Sequence, residues 1–302
     1  MAQSILLVVK HLGNIGFFDQ DAAQYLPQQV NWERINSWLQ VCMKCSPKEF
    51  RDRPPGFRVI EVATQRVIPG PPSCKYAALS YVWGRATAPE IEATTSNIHD
   101  LQMVGLSDLP VPATIRDAIV ASSKMGMQYL WVDRLCILQD SSDDKCTQVN
   151  AMDKIYSNAA VTIVALAGSD AHYGLPGVSE RKRALPWVYD GQGICMAELL
   201  RPYEEISAQS VWHTRGWTFQ EGMLSTNLLM FSDWGVFYEA EGCTGVRDEE
   251  EEWRRSDSDP IFHPASRSRG KDTTGSYEGL VQNYTKRDLS WPSDILRAIT
   301  GS

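Results

Sequence analysis

Three short apolar runs constrain the fold more than any other feature of the chain: YAALS at 76–80, QYLWV at 128–132 and AVTIVALAG at 160–168. Each reads as a strand buried on both faces, because a strand with one wet face alternates apolar and polar residues. Between them lie patterns with helical period. In DLPVPATIRDAIVASSKMG (108–126), Ile115, Ala118, Ile119, Ser122 and Met125 share one helical face, and Gly126 stands where the helix stops. DDKCTQVNAMDKIYSNA (143–159) reads as a second helix with Val149, Met152 and Tyr156 inward. Strand, helix, strand, helix, strand implies an α/β fold, a parallel sheet flanked by helices on both faces.

The ends of these apolar stretches are polar in a way that ordinary core strands avoid. YAALSYVWG (76–84) brings Ser80, Tyr81 and Trp83, LWVDRLCILQ (130–139) brings Asp133 and Gln139, and RGWTFQE (215–221) brings Arg215, Trp217 and Glu221. An unpaired buried polar group costs roughly 1–3 kcal/mol. Ionisable groups set repeatedly against Trp and aliphatic residues therefore mark a candidate site, at the carboxyl ends of strands where open α/β sheets bind ligands. Each residue also has a plainer reading. Glu221 is a helix-surface or first-turn glutamate, Asp133 half of a structural ion pair with Arg215 or Arg134, Ser80 a strand-end cap, and Tyr81 and Trp83 core aromatics.

Around this centre, VNWERINSWLQVC (30–42) reads as a helix packing through Trp32, Ile35, Trp38, Leu39 and Cys42. FRVIEVATQRVI (57–68) alternates like a hairpin before the turn PGPPS (69–73). RGWTFQEGML (215–224) opens a helix, and NLLMFSDWGVFYEA (227–240) reads as a late strand pair. The charged run from Arg247 and the Ser/Arg/Gly stretch to about 275 read as a solvated loop. The domain reading is an N-terminal extension over 1–56, a main domain over 57–240, and a charged loop with a C-terminal segment, read as cut short, over 241–302.

Composition narrows the partners. A formal charge of −8 and no clustered Lys and Arg beyond RKR at 181–183 argue against a nucleic-acid backbone as partner. Seven scattered cysteines make no disulfide framework, and the chain reads as cytoplasmic. SILLVV (4–9) is too short to span a membrane and lacks the flanks of a secretory signal. Cys42 and Cys45 form a CxxC with no second ligand pair, so no metal is expected. Cys136 with His213 and Asp133 lacks the surroundings of a thiol nucleophile. No glycine-rich phosphate loop is present.

With LSYVWG (79–84), LPVPATIRDAI and YLWVDRLCILQD (within 109–140) and RGWTFQE (215–221) in that order, the chain resembles the fungal heterokaryon incompatibility (HET) domain family. MDKIYSNAAVTIVAL (152–166) and the Gly174–Leu175 pair fit the same pattern, which spans roughly 57–240. Arg134 departs from the Ala or Ser usual in the family, and Leu138 from Asn or Ile, so no amide role is carried to that position. The resemblance implies a fungal immune-type domain that triggers programmed cell death. Its implied partners are self-association and other incompatibility or NLR-type proteins. HET domains resemble TIR domains in turn, some of which cleave NAD with a Glu four residues after a Trp, the spacing of Trp217 and Glu221 here. That implies Glu221 as catalytic group, Ser80, Tyr81, Trp83, Asp133, Arg215 and Trp217 as substrate-binding residues, NAD as substrate rather than cofactor, and a TIR-like fold. The implied chemistry is cleavage of the nicotinamide–ribose bond through an oxocarbenium-like transition state. The alternatives are a non-enzymatic interaction module and an inactive relic of the family.

Overall fold

The computed structural model describes residues 6–10, 28–45, 53–85, 90–184, 188–191, 194–198, 203–240, 243–247, 284–285 and 287. The elements run in order as β1 (Leu6–Lys10), α1 (Trp32–Cys45), β2 (Arg58–Glu61), β3 (Arg66–Pro69) and β4 (Tyr76–Ser80). There follow α2 (Ile98–Met103), α3 (Ala113–Lys124), β5 (Tyr129–Trp131), α4 (Asp133–Cys136), α5 (Ser142–Val149), α6 (Met152–Asn158) and β6 (Val161–Ala165). The last described elements are β7 (Val188–Gly191), β8 (Ile194–Glu198), α7 (Tyr203–Gln209), α8 (Val211–Thr214), α9 (Gly216–Leu224), β9 (Asn227–Ser232), β10 (Gly235–Ala240) and β11 (Cys243–Arg247).

The main sheet has the strand order β11-β10-β9-β6-β4-β5-β2-β3. Its centre, β9-β6-β4-β5, is parallel. Both ends are antiparallel: the 58–69 hairpin joins β5 through β2, and β10 and β11 extend β9. The sheet is therefore mixed α/β with a parallel core, as the strand–helix alternation implied, and the hairpin expected over 57–68 and the late strand pair expected over 227–240 form part of it. Tight hairpins can only add antiparallel neighbours, and both outer additions are hairpins. β1, β8 and β7 form a separate antiparallel ribbon, tying residues near the N-terminus to the 188–198 segment.

Register decides which side chains meet. Leu79, Ile163 and Leu229 lie side by side on one face, and Ser80, Val164 and Met230 on the other. The first face packs under α1 and α3. Ile35, Trp38, Leu39, Ile115 and Ala118 are buried there, and Trp38 stacks on Tyr238 with ring centroids 5.4 Å apart. Those are the inward faces expected from the periodicity. α3 ends as foreseen, with Gly126 at φ +69°. The second face carries α6 and α9, with Tyr156 set edge-on to Trp131 at 5.5 Å and Phe219 buried against Val164 and Met230.

The helix expected over 143–159 is two helices, α5 and α6. The break at Asn150–Ala151 lets Gln148 turn inward and donate to the Pro55 carbonyl at 2.7 Å, a contact that periodicity does not contain. The charged stretch expected to be solvated lies outside the described residues, apart from Arg247 at the end of β11. Among the described residues, no helix is long and apolar enough to cross a membrane.

Candidate functional site

Ser80 is the last residue of β4, and Asp133 follows β5 by two residues. Both stand at the carboxyl ends of adjacent parallel strands. Glu221 comes from the middle of α9, which lies over that end of the sheet. These three positions are 141 residues apart at the extremes, and the sheet brings them together.

The Ser80 hydroxyl is fully buried, donates a short hydrogen bond to Glu221 Oε2 and accepts one from Trp212 Nε1 at 2.7 Å. Tyr156, whose hydroxyl donates to the Leu79 carbonyl at 3.1 Å, neighbours the same carboxyl group. Burial raises the Glu221 pKa from 4.5 to about 8, with the Asp133 charge adding to the rise. Ser80, Tyr156 and the Arg215 guanidinium act against it. At neutral pH the closed site therefore holds Glu221 mainly as the neutral acid.

Asp133 is walled in by aromatic groups. Trp83 Nε1 donates to its Oδ2 at 2.7 Å, and the Arg134 amide donates to its Oδ1 at 2.7 Å. Although the residue keeps some surface, its carboxyl oxygens are spent on these inward donors. Burial raises its pKa from 3.8 to about 6, opposed by Trp83, the Arg134 amide, Tyr81 and Arg215. Two carboxyls near one arginine, with proton affinities pushed apart, form an acid pair of the type that active sites build.

The candidate residues thus fall into one cluster with graded roles. Ser80, Asp133, Arg215 and Glu221 interact directly or through charge. Tyr81 is buried, with its hydroxyl near Asp133 and Arg134 but outside hydrogen-bonding geometry, and its pKa is well above the phenol range through burial. Trp83 spends its N–H on Asp133, and the Arg134 guanidinium covers its ring at 4.4 Å, so that face is closed to a stacking ligand. Trp217 packs between the two core layers, one helical turn before Glu221.

Three participants were not named from sequence as site residues. Trp212 and Tyr156 sit at inward positions. The available signal was that a buried indole or phenol needs a polar partner. Arg134 enters the sequence reading as a departure from the family pattern and as one candidate ion-pair partner of Asp133. It forms a buried ion pair with Glu90, which also meets His172 Nε2 at 2.6 Å, so a chain of polar contacts runs from the half-exposed His172 to Asp133.

Cys136 packs as a core thiol, its pKa pushed up to about 12 by burial, which removes it as a nucleophile at neutral pH. His213 is held down to about 4 by burial and by Arg287. Among the described residues, no group of three His, Cys, Asp or Glu side chains is placed to hold a metal ion. The CxxC pair of Cys42 and Cys45 falls in the last turns of α1, where side chains lie outside the described set. A cleft lined by Arg116, Tyr173, Arg181 and Lys182 contains none of the carboxyl cluster.

An α/β domain with a buried serine–glutamate pair over the ends of its parallel strands is the class defined by this geometry. Residues 76–221 match the family model described as heterokaryon incompatibility protein (HET), and that match begins with β4 and ends on Glu221. The chain is also 33% identical over 104 residues to heterokaryon incompatibility protein 6, OR allele, of Neurospora crassa. That alignment covers 32% of this chain and 14% of the relative. No solved structure matches the chain. The likeness to the heterokaryon incompatibility family is therefore carried by residues 76–221, just under half of the chain.

Proposed function

We propose that this chain acts in fungal heterokaryon incompatibility as a cytoplasmic cell-death effector that hydrolyses NAD at Glu221 once self-association, or another incompatibility or NLR-type partner, opens the site. The supporting observation is the buried Ser80–Glu221 pair beside Asp133 and Arg215. A TIR-like descent for the domain rests on the same Trp217–Glu221 spacing.

In the proposed reaction the bond between ribose C1′ and the nicotinamide nitrogen breaks. The electron pair leaves with nicotinamide, and an oxocarbenium-like ribose remains. Ionised Glu221 stabilises that cation, then accepts a proton as water adds to C1′, giving ADP-ribose and nicotinamide. In this reading Asp133 holds the ribose hydroxyls once opening of the site releases its carboxyl oxygens from Trp83 and the Arg134 amide. The positive pyridinium ring of NAD lowers the cost of ionising Glu221, which makes the carboxylate form available at neutral pH.

The resting arrangement is closed: Glu221 is 6% exposed, and Ser80 and Trp212 are 0% exposed. That closure also favours a second reading, a non-enzymatic module whose Glu221 is a structural hydrogen-bond acceptor. The test is NAD consumption by purified protein at high concentration or on a crowding support, wild type against Glu221→Ala, with folding verified for both. Turnover that the substitution abolishes supports the enzyme. Cell-killing that Glu221→Ala retains, with no turnover in either protein, supports the module.

A further inference from the structure

The helix that carries Glu221 is held from outside by a piece of chain more than sixty residues further on. Tyr284 is 4% exposed, and its ring centroid lies 5.6 Å from that of Phe219 on α9. The Arg287 guanidinium covers the same Phe219 ring at 4.6 Å. Its Nη1 also donates to the carbonyl of Arg215, the residue that caps α9, at 3.3 Å. A turn closed by the Arg287 amide on the Tyr284 carbonyl at 3.0 Å holds the two side chains together.

These contacts act on the site through its own residues. Phe219 lies two positions before Glu221, and its ring takes the load of both Tyr284 and Arg287. Arg215 presents its carbonyl to Arg287, and its positive charge acts on the two carboxyls. Tyr284 joins the same apolar cluster as Trp212, whose indole fixes Ser80. An aromatic pair, a cation over a ring and one hydrogen bond are each weak in isolation, so the set can be undone without unfolding the sheet. α9 has the strongest reason to move with it, because its inward side carries the neutral acid that must meet solvent to ionise.

We propose that the segment bearing Tyr284 and Arg287 is a latch that presses α9 onto the sheet and keeps the Ser80–Glu221 pair closed. Displacing it swings α9 outward and opens the carboxyl cluster. The proposal rests on reading Glu221 as the site's working group. It adds the element that restrains the site within the same chain.

The test uses the full chain with Arg287→Ala and, separately, Tyr284→Ala, followed by hydrogen exchange and NAD turnover in the same samples. The latch predicts at least tenfold faster exchange for amides of 215–224, with β4 and β6 amides as protected as in wild type. It also predicts turnover raised at least tenfold, and lost again when Glu221→Ala is added. Faster exchange confined to 215–224 without turnover keeps the latch and removes the NAD reading. Unchanged exchange in 215–224 overturns the latch. So does faster exchange throughout the domain, which makes the two residues ordinary core packing.

Discussion

Replacing Glu221 by Gln tests whether the buried carboxyl is the neutral acid that its surroundings imply. The glutamine keeps the shape and an oxygen that accepts the Ser80 hydroxyl, but it has no proton to lose. The folded pKa of Glu221, about 8, lies above its ordinary 4.5. Between those pH values the folded state keeps a proton that the unfolded state has released. The stability this contributes is full below the unfolded value and is lost as pH rises through the folded one. Asp133 behaves in the same sense, but its loss runs through pH 6 and is largely over by about pH 6.5. His213, depressed from 6.5 to about 4, acts in the opposite sense and is finished by pH 6.5. The window from pH 6.5 to 8 therefore isolates Glu221. At about 1.4 kcal/mol per pH unit, wild type loses about 2 kcal/mol across it, or about 4–8 °C in Tm. Glu221→Gln stays flat over the same window. Urea unfolding at half-unit pH steps reads the difference directly. Wild-type and variant curves that run parallel from pH 6.5 to 8 refute a protonated Glu221 and, with it, the electrostatic account of the closed site.

Ser80→Ala removes the hydroxyl that holds Glu221 and leaves Trp212 Nε1 without its acceptor. The expected cost is about 1–3 kcal/mol at every pH, with the stability decline centred at a higher pH than in wild type; an unmoved midpoint counts against the contact. Gly84 and Gly126 separate backbone strain from crowding. Both have positive φ, but a Cβ on Gly84 would meet Asp170 Cβ at 2.3 Å, whereas nothing lies within 4 Å of one on Gly126. Gly126→Ala is expected to cost about 1 kcal/mol, and Gly84→Ala clearly more, by denaturant midpoint. Equal costs would show that the loop after β4 does not close on Asp170.

Much of this site was legible because its parts are polar residues at the ends of apolar runs. Ser80, Asp133 and Glu221 each stand out locally, since a polar group beside fully buried neighbours must have a partner. Which partner it has is not a local property. Glu221 has a helix-surface alternative in the sequence, and in the fold it is buried on Ser80, because α9 packs against β4 and α6 rather than facing water. For Tyr81 and Trp83 the sequence offers two readings, substrate contact and core aromatic. The structure gives Tyr81 to the core and covers one face of Trp83 with Arg134, the residue that departs from the family pattern.

Sequence by itself determined the order of the central strands β4, β5 and β6 with helix between them, the inward faces of α1 and α3, the hairpins over 58–69 and 227–240, and the three polar positions Ser80, Asp133 and Glu221 around which the site is built. All of these follow from periods of 2 and 3.6 residues and from turn chemistry, which act within a few positions. Only the tertiary structure decided that the 58–69 hairpin joins β5 through β2, that β1 pairs with β8, and that the 143–159 segment breaks so that Gln148 can reach Pro55. It also decided that Trp212 and Tyr156 complete the site and that Tyr284 and Arg287 close over its helix. These are pairings between positions tens to hundreds of residues apart. Burial fixes them through complementary shape and unsatisfied hydrogen bonds, and neither leaves a mark in local periodicity.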